Sequence, residues 1–290
     1  MFSGKEGAVI ATRPRWWRRE GEAAQCGLCF RGCRIPAGGN GFCGVRGWDG
    51  ERFHSTFLGR FSSIAVDPVE KKPLRCWRPG TRIFSLGGVG CNMRCPFCQN
   101  HSIAQPANLG DVPLAVVTPE ELARLVRGER LSSVAFTYNE PTLQAEYILE
   151  AAPLLREAGI AVVLVTNGMF SPEALTDLLP WVDAANVDVK TFDPEKYAAL
   201  GGSLETVKEN TARMAQGGVH VELTNLVTPG VSDSLEDFTC LVEWVANLSP
   251  EIPLHITRYF PAYRFTTPST DLSLLRVFKD IARTRLSHSY

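Results

Sequence analysis

Three cysteines close together in the chain place the strongest constraint on its fold. Cys91, Cys95 and Cys98 form a C-x3-C-x2-C run that follows an apolar stretch at 82–86 and a glycine-rich turn at 87–90. Three thiols at this spacing can face a common point only if the backbone wraps around a ligand, and thiolates suit soft metals and iron–sulfur clusters. An ordinary four-iron cluster uses four cysteines. The run supplies three, so it predicts a [4Fe-4S] cluster with one iron left free to bind a small molecule.

Two other interpretations of the run are consistent with the residues alone. A zinc knuckle could borrow a fourth ligand from a distant part of the chain, or the cysteines could be unrelated buried residues. Position favours the cluster, because the run comes directly after a predicted strand and further polar motifs follow downstream.

The charge balance argues against two classes of partner. The chain has 290 residues, 44% of them apolar, with 30 basic and 31 acidic side chains and a net charge of −1. It is long enough to bury a full core and a small second unit. A balanced charge gives no overall field to attract nucleic acid or a membrane surface, and no segment reaches the roughly 18 apolar residues of a membrane span. We therefore expect neither partner.

Cysteine usage points to bound metal rather than to disulfides. The chain has nine cysteines and no apolar signal core at its N-terminus, which predicts a reducing, cytoplasmic location. Cys26, Cys29, Cys33 and Cys43 form a second group among glycines, with too little apolar mass for a core of its own. This group could close a tetrahedral zinc site, hold a second iron–sulfur cluster or act as a redox cysteine pair. Cys76 and Cys240 stand apart and are predicted to be small buried residues.

From residue 82 onward, strand-like and helix-like stretches alternate, which is typical of βα units on a parallel sheet. The predicted strands lie at 82–87, 132–138, 160–166, 184–190, 219–227 and 254–259. The predicted helices lie at 119–127, 142–158, from Ser171, 203–216, 234–248 and about 270–286. The pattern predicts an α/β fold with a partial (β/α)6 TIM-like barrel at 81–290. It follows an N-terminal Cys-rich metal-binding region and linker at 1–80.

Polar residues stand where the predicted strands end. These strand ends lie at 137–142, 166–168, 186–190, 225–230 and 255–259. In barrels of this type the active site lies at the carboxyl ends of the strands. The polar strand ends are therefore the positions where a cofactor is expected.

The motifs together resemble those of radical S-adenosylmethionine (SAM) enzymes of the AmmeMemoRadiSam-system family, which are related to pyruvate formate-lyase activating enzymes. The matching segments are 43–46, 66–74, 91–100, 137–142, 165–168, 188–190 and 227–230. The resemblance covers nearly the whole chain. It implies the radical SAM type of partial barrel, a [4Fe-4S] cluster and SAM as a second cofactor.

The resemblance also implies roles for individual residues. Cys91, Cys95 and Cys98 would ligate the cluster, whose fourth iron would be chelated by the amino and carboxylate groups of SAM. Asn139 and Glu140 would meet the methionine amino group, and Lys190 would pair with its carboxylate. Thr166, Asn167 and Asp188 complete the predicted cofactor-binding set. From the residues alone, Glu140 could instead be an exposed turn residue, although the ligand role is favoured, and Lys190 needs only an anion or water nearby.

Three positions depart from the family pattern or stay undecided. Thr166 and Asp188 match residues that help to hold a cation near SAM in activating enzymes, but Val165 replaces an aspartate there and makes such a site doubtful. Phe260 stands where relatives usually carry a histidine. His255 lies on the last predicted strand, where it could line the site or be a structural residue.

The expected function is reductive cleavage of SAM to methionine and a 5′-deoxyadenosyl radical, which then takes hydrogen from a substrate. Similarity to glycyl-radical activating enzymes allows a peptide or protein substrate, and a small molecule stays open. Enzymes of this kind receive electrons from a donor such as flavodoxin or ferredoxin. The alternative from another class is a non-catalytic zinc-binding scaffold that retains the barrel.

Overall fold

The computed structural model describes residues 12–290, and its N-terminal part consists of short antiparallel strands. One sheet contains β1 to β3, at Trp17–Glu20, Ala23–Cys26 and Arg34–Ile35. A second contains β4 to β6, at Gly39–Asn40, Arg46–Trp48 and Phe53–Ser55. Residues 1–11 lie outside the described residues. They are the start of the predicted N-terminal region and the segment for which no secretion signal was predicted.

A seven-stranded sheet forms the centre of the molecule. Its first strand along the chain is β8 (Ser63–Pro68). The preceding strand, β7 (Arg60–Phe61), pairs instead with β10 (Ala115–Val116) in a separate two-stranded sheet. The other strands are β9 (Arg82–Gly87), β11 (Ser133–Phe136), β12 (Ala161–Thr166), β13 (Ala184–Asp188), β14 (His220–Val227) and β15 (Leu254–Arg258). The order is β15-β14-β13-β12-β11-β9-β8, with β8 antiparallel and all other neighbours parallel. The sheet therefore has two edges and is an incomplete barrel, and the prediction of an α/β fold with six parallel strands is confirmed.

Helices follow the parallel strands. They are α1 (His101–Ala104), α2 (Pro119–Gly128), α3 (Ala145–Glu157), α4 (Pro172–Leu178), α5 (Pro194–Ala199), α6 (Leu204–Gln216), α7 (Leu235–Leu248) and α8 (Leu272–Arg283). Side-chain oxygens of Thr118, Ser171, Ser203 and Ser234 cap four of them by accepting a bond from a first-turn N–H. The predicted helix at 142–158 begins at Ala145, because Pro141–Gln144 forms a 3-10 turn instead.

The inner face of the sheet is partly filled by the segment that follows β8. Alternate side chains of a strand point to opposite faces, and one small core cluster joins inner residues of β9, β11, β12 and β13 to Val69 and Leu74. The backbone carbonyl of Pro73 accepts a bond from Asn186 on β13. The segment is therefore packed against the sheet.

The N-terminal strands join the barrel instead of standing apart. Ala24, Ile35 and Trp48 belong to the same buried cluster as the outer face of the sheet and its helices. A buried ion pair connects Arg46 on β5 to Glu146 on α3, with 2.5 Å between Nη1 and Oε1. The predicted boundary at 80/81 stays a prediction, and β8 lies N-terminal to it while pairing with β9.

The two isolated cysteines differ in exposure. Cys240 is exposed on α7, so the prediction that it is buried is wrong, and Cys76 is half-buried. Among the described helices, none is long and apolar enough to cross a membrane.

Candidate active site

A cavity of about 360 Å3 lies at the carboxyl ends of the parallel strands. It brings together residues from the cysteine loop after β9 and from the ends of β11, β12 and β13. All nine residues predicted for the cluster and SAM line it: Cys91, Cys95, Cys98, Asn139, Glu140, Thr166, Asn167, Asp188 and Lys190. The structure thus places in one cavity side chains that are up to 99 positions apart in the chain (190 − 91).

The three cysteines of the run are free thiols in a largely desolvated environment. Burial raises the pKa of all three thiols, that of Cys95 to about 11. The backbone N–H of Met93 donates to Cys91 Sγ over 3.4 Å, and Asn167 Nδ2 lies 3.9 Å from the same sulfur. Buried thiols become ligands when a metal displaces their protons. Hydrogen bonds to the sulfur then help to set the reduction potential of a cluster.

The three cysteine thiols are a donor set that suits an iron–sulfur cluster. Within residues 12–290, no three His, Cys, Asp or Glu side chains are arranged to hold one metal ion. In a [4Fe-4S] cluster the cysteine sulfurs bind different irons, so they need not converge on one point. Three thiols that line one cavity, with the ammonium of Lys190 in the same cavity, are compatible with this group.

Asn139 positions the loop that carries the first cysteine. Its Oδ1 accepts a bond from Gly88 N over 2.8 Å, and its Nδ2 donates to the carbonyl of Gly90 over 3.0 Å. Gly90 has φ +80°, and a Cβ there would lie 2.7 Å from Val45 Cγ2 and 2.9 Å from the carbonyl oxygen of Cys43. The turn before Cys91 therefore requires glycine, and the amide of Asn139 fixes its conformation.

Glu140 is buried and holds two strand ends together. One carboxylate oxygen accepts bonds from Thr142 N, Thr142 Oγ1 and Thr166 Oγ1, at 2.6 to 3.0 Å. The other accepts the backbone N–H of Asn167 over 2.9 Å. Burial raises the pKa of Glu140, although these donors act in the opposite direction. The alternative of an exposed turn residue does not apply, because Glu140 is 2% exposed.

Asn167 connects the end of β12 to the cysteine loop. Its Nδ2 donates to Asn92 Oδ1 over 2.7 Å, and its Oδ1 accepts the backbone N–H of Met169 over 3.1 Å. Asn92 is fully buried. The contact between these two amides was not foreseen from the sequence, because 75 positions separate them and neither type is specific to a cluster.

Lys190 and Asp188 form an ion pair at the end of β13, with 2.8 Å between Nζ and Oδ2. Burial alone lowers the pKa of Lys190, but the carboxylate of Asp188 outweighs it and raises the pKa above its usual range. Val165 lines the same cavity and contributes no carboxylate. The ammonium of Lys190 is therefore the cation that Asp188 contacts.

A second ion-pair group at the cavity was missed by the sequence analysis. Lys72 Nζ and the hydroxyl of Tyr138 both donate to Asp67 Oδ2, over 2.7 and 2.6 Å. These donors lower the pKa of Asp67 despite its partial burial, and burial together with the Asp67 carboxylate raises the pKa of Tyr138 to about 12. The available signal was the repeated lysine in segment 66–74, which the resemblance identified without assigning it a role.

His255 and Phe260 lie outside the cavity lining. His255 Nε2 is 2.7 Å from Glu222 Oε2, deeper on the inner face of the sheet, and is buried there. Phe260 is exposed. His255 therefore matches the structural interpretation rather than the site-lining one.

The four N-terminal cysteines lie beside the cysteine loop. Phe30 N donates to the carbonyl of Met169 and Ser171 N donates to the carbonyl of Leu28, so their loop runs along the chain that follows β12. Burial raises the pKa of Cys29 to about 12. Within the described residues, no three of these cysteines are arranged to hold one metal ion. A metal bound by Cys26, Cys29, Cys33 and Cys43 stays a prediction.

Comparison with known proteins identifies the family. The model of the radical SAM superfamily matches residues 85–242, more than half of the chain, and contains the cysteine run and the ends of β11 to β14. The chain belongs to the radical SAM superfamily. The prediction of a radical SAM enzyme is confirmed at this level, and a [4Fe-4S] cluster and SAM are the cofactors typical of the family.

Two relatives and one solved structure show the range of similarity. An uncharacterized protein of Methanocaldococcus jannaschii is 34% identical over 265 residues, which cover 89% of this chain and 77% of that protein. A pyruvate formate-lyase-activating enzyme of Clostridium pasteurianum is 25% identical over 55% of this chain and 67% of its own. SuiB of Streptococcus suis bound to precursor peptide SuiA shares the fold, with a TM-score of 0.52 and 16% identity over 69% of this chain and 46% of SuiB.

Proposed function

We propose that this chain is an activating-enzyme-like radical SAM oxidoreductase in which Cys91, Cys95 and Cys98 hold three irons of a [4Fe-4S] cluster. The observation that carries the proposal is the single cavity that contains these thiols together with every residue predicted to hold SAM. When bound, the cluster supplies one electron that splits SAM into methionine and a 5′-deoxyadenosyl radical, which removes hydrogen from a substrate. The protein contributes placement of the reactants and exclusion of water.

The protein's own residues divide this work. Lys190 is the cation that would pair with the methionine carboxylate, and its contact with Asp188 orients the ammonium. Glu140 and Asn139 act through the backbone, since their side chains are occupied by internal hydrogen bonds. They fix the end of β11 and the turn before Cys91. The backbone groups of the Asn139–Glu140 segment would meet the methionine amino group.

The proposal extends to an electron donor and to a substrate class. A one-electron carrier such as flavodoxin or ferredoxin would supply the reducing equivalent. A polypeptide is the favoured substrate, because relatives include an enzyme named for activating pyruvate formate-lyase and a fold relative was solved with a precursor peptide.

Product analysis tests the central reaction. Protein reconstituted anaerobically with iron and sulfide should release 5′-deoxyadenosine and methionine when SAM and dithionite are added. Cys95→Ala should lose this activity and bound iron together, whereas Cys240→Ala, which removes an exposed thiol, should retain both. Retained cleavage in Cys95→Ala would overturn the ligand assignment. A protein that binds only zinc and forms no 5′-deoxyadenosine would support the scaffold alternative.

Deuterium transfer tests the substrate class. A deuterated cell extract is separated by dialysis into macromolecules and small molecules, and each fraction is added to the reconstituted enzyme. Deuterium in 5′-deoxyadenosine is expected with the macromolecular fraction. Transfer from the small-molecule fraction alone would contradict the polypeptide proposal and leave SAM cleavage intact.

A further inference from the structure

The cysteine loop separates the cavity from a depression on the outer surface. Cys95 and Cys98 line the cavity, whereas Arg94 and Pro96 line a depression of about 550 Å3 on the other side. Gln105 lines both spaces, and its Nε2 donates to the carbonyl of Cys95 over 3.0 Å. A molecule in the depression would therefore lie one residue away from a proposed cluster ligand.

The depression is basic. Arg94, His101 and Arg264 line it, and its lining contains no carboxylate within residues 12–290. Both arginines are exposed, and neither forms an ion pair with any of the described residues. Because the chain as a whole is nearly neutral, this is a local positive surface, and it complements an acidic partner.

The surface is also preformed and partly aromatic. The backbone N–H of Arg264 donates to the carbonyl of Pro96 over 3.0 Å, which fixes the position of residue 264 against the cysteine loop. Tyr263 stacks on His101 with 4.5 Å between ring centroids. The guanidinium of Arg94 lies over Phe42, which is itself exposed. A basic surface with exposed aromatic groups is the composition expected of a protein-binding site.

We propose that this docking face, defined by Arg94, Pro96, His101, Gln105, Tyr263 and Arg264, binds an acidic one-electron carrier protein of the flavodoxin or ferredoxin type. The inference rests on the proposed function, because it supposes a cluster behind the loop. The reduced carrier would give one electron to a cluster held behind the loop, so the carrier would be oxidised by one electron and no bond or proton would be transferred. Charge complementarity selects the partner and increases the rate of encounter.

Direct binding tests the docking face independently of catalysis. Oxidised flavodoxin and an oxidised plant-type ferredoxin are each titrated into the reconstituted full chain by isothermal titration calorimetry at low and high salt. At least one should bind, and more weakly as salt rises. Arg264→Glu should weaken its binding at least tenfold, whereas Arg264→Gln should have a smaller effect. The matched control is Arg127→Glu. Arg127 is an exposed arginine in the last turn of α2, and the chain that follows leads to the amino end of β11, at the opposite end of the strands from the cavity.

Electron delivery gives the second readout. In Arg264→Glu the release of 5′-deoxyadenosine driven by the reduced carrier should fall at least tenfold, while the rate driven by dithionite should stay unchanged. Failure of the dithionite reaction in the wild type would refute the proposed function, not the binding prediction. Wild-type affinity in Arg264→Glu, an equal loss in Arg127→Glu, or no binding of either carrier would overturn the docking face.

Discussion

Glu140 accepts four hydrogen bonds at the cavity while it is almost completely buried. Its partners come from the turn after β11 and from the end of β12, so the carboxylate fixes the distance between two strand ends. Replacement by an amide would leave the shape unchanged but place an N–H group opposite donors. Glu140 therefore orients the two strand ends, since both of its oxygens accept hydrogen bonds from inside the protein.

Glu140→Gln should destabilise the fold by about 2 kcal/mol, the value expected when a buried charged acceptor loses its donors. The variant should also bind SAM more weakly, because the strand ends lose their fixed spacing. Chemical denaturation and equilibrium binding of SAM measure the two effects. Glu129→Gln, the same change at an exposed position after α2, should alter neither. Unchanged stability in Glu140→Gln would contradict the bonding role.

At this scale the sequence identified residue types better than residue contacts. The three cysteines were predicted from their spacing. The six residues predicted to hold SAM were predicted from the family resemblance, at strand ends that meet on one side of a parallel sheet. The group Asp67, Lys72 and Tyr138 was not found, because the tyrosine is 71 positions from the aspartate and no local pattern joins them. Pairing partners of that kind depend on how the segment after β8 folds across the sheet.

At Gly90 the cysteine loop packs closely against the N-terminal region, at Cys43 and Val45. Gly90→Ala should destabilise the protein by about 3 kcal/mol, because the new methyl group would meet Val45 and Cys43 and the backbone has positive φ. Gly80→Ala has a similar φ of +76° and no atom within 4 Å, so it should cost only the backbone term of about 1 kcal/mol. Thermal unfolding compares the two. Equal losses would show that the close approach at Gly90 has no energetic role.

Glu222 on β14 anchors the segment that fills the inner face. Its carboxylate accepts the N–H groups of Arg75, Cys76 and Trp77 and contacts His220 and His255. Burial alone would raise the pKa of Glu222, but these hydrogen bonds lower it to about 2 from an ordinary value of 4.5. The carboxylate in the folded state therefore resists protonation more than in the unfolded chain.

The consequence is a specific loss of stability in acid. A group with a depressed folded pKa contributes stability above its unfolded pKa, and that contribution disappears as pH falls through the folded pKa. The free energy of unfolding should therefore lose about 3 kcal/mol through Glu222 between pH 4.5 and 2. Glu222→Gln should show a flatter pH dependence in this window, measured by urea unfolding. An identical slope in both proteins would contradict the assignment.

Elements were predicted more fully than their pairing. All six parallel strands were placed to within a few residues, since their apolar runs are bounded by glycine, proline and cap residues. The antiparallel strand β8 is not among the predicted strands, which begin at residue 82. Its inner and outer residues are similarly half-buried, so no alternation marked it as part of the main sheet.

For the whole molecule, the ion pair between Arg46 and Glu146 joins the N-terminal strands to α3. Both side chains are 1% exposed, so removal of one partner leaves an uncompensated buried charge. Arg46→Met should cost about 4 kcal/mol of unfolding free energy. The double variant Arg46→Met with Glu146→Met should recover most of that loss, because no buried charge is left.

Urea unfolding followed by tryptophan fluorescence and circular dichroism measures this effect and also shows whether the N-terminal strands unfold with the barrel. Coincident transitions are expected because both parts share one buried cluster. A double variant as unstable as Arg46→Met alone would contradict the buried-charge explanation. Separate transitions would contradict the shared core.

The central claim is that three cysteines leave one iron of the cluster open to SAM. Electron paramagnetic resonance of the dithionite-reduced, reconstituted protein tests it most directly, with spectra recorded before and after SAM is added. The reduced cluster signal should change when SAM binds, and Cys95→Ala should lack the responsive signal. A cluster spectrum that is the same with and without SAM would mean that the protein itself supplies every ligand, and would contradict the account.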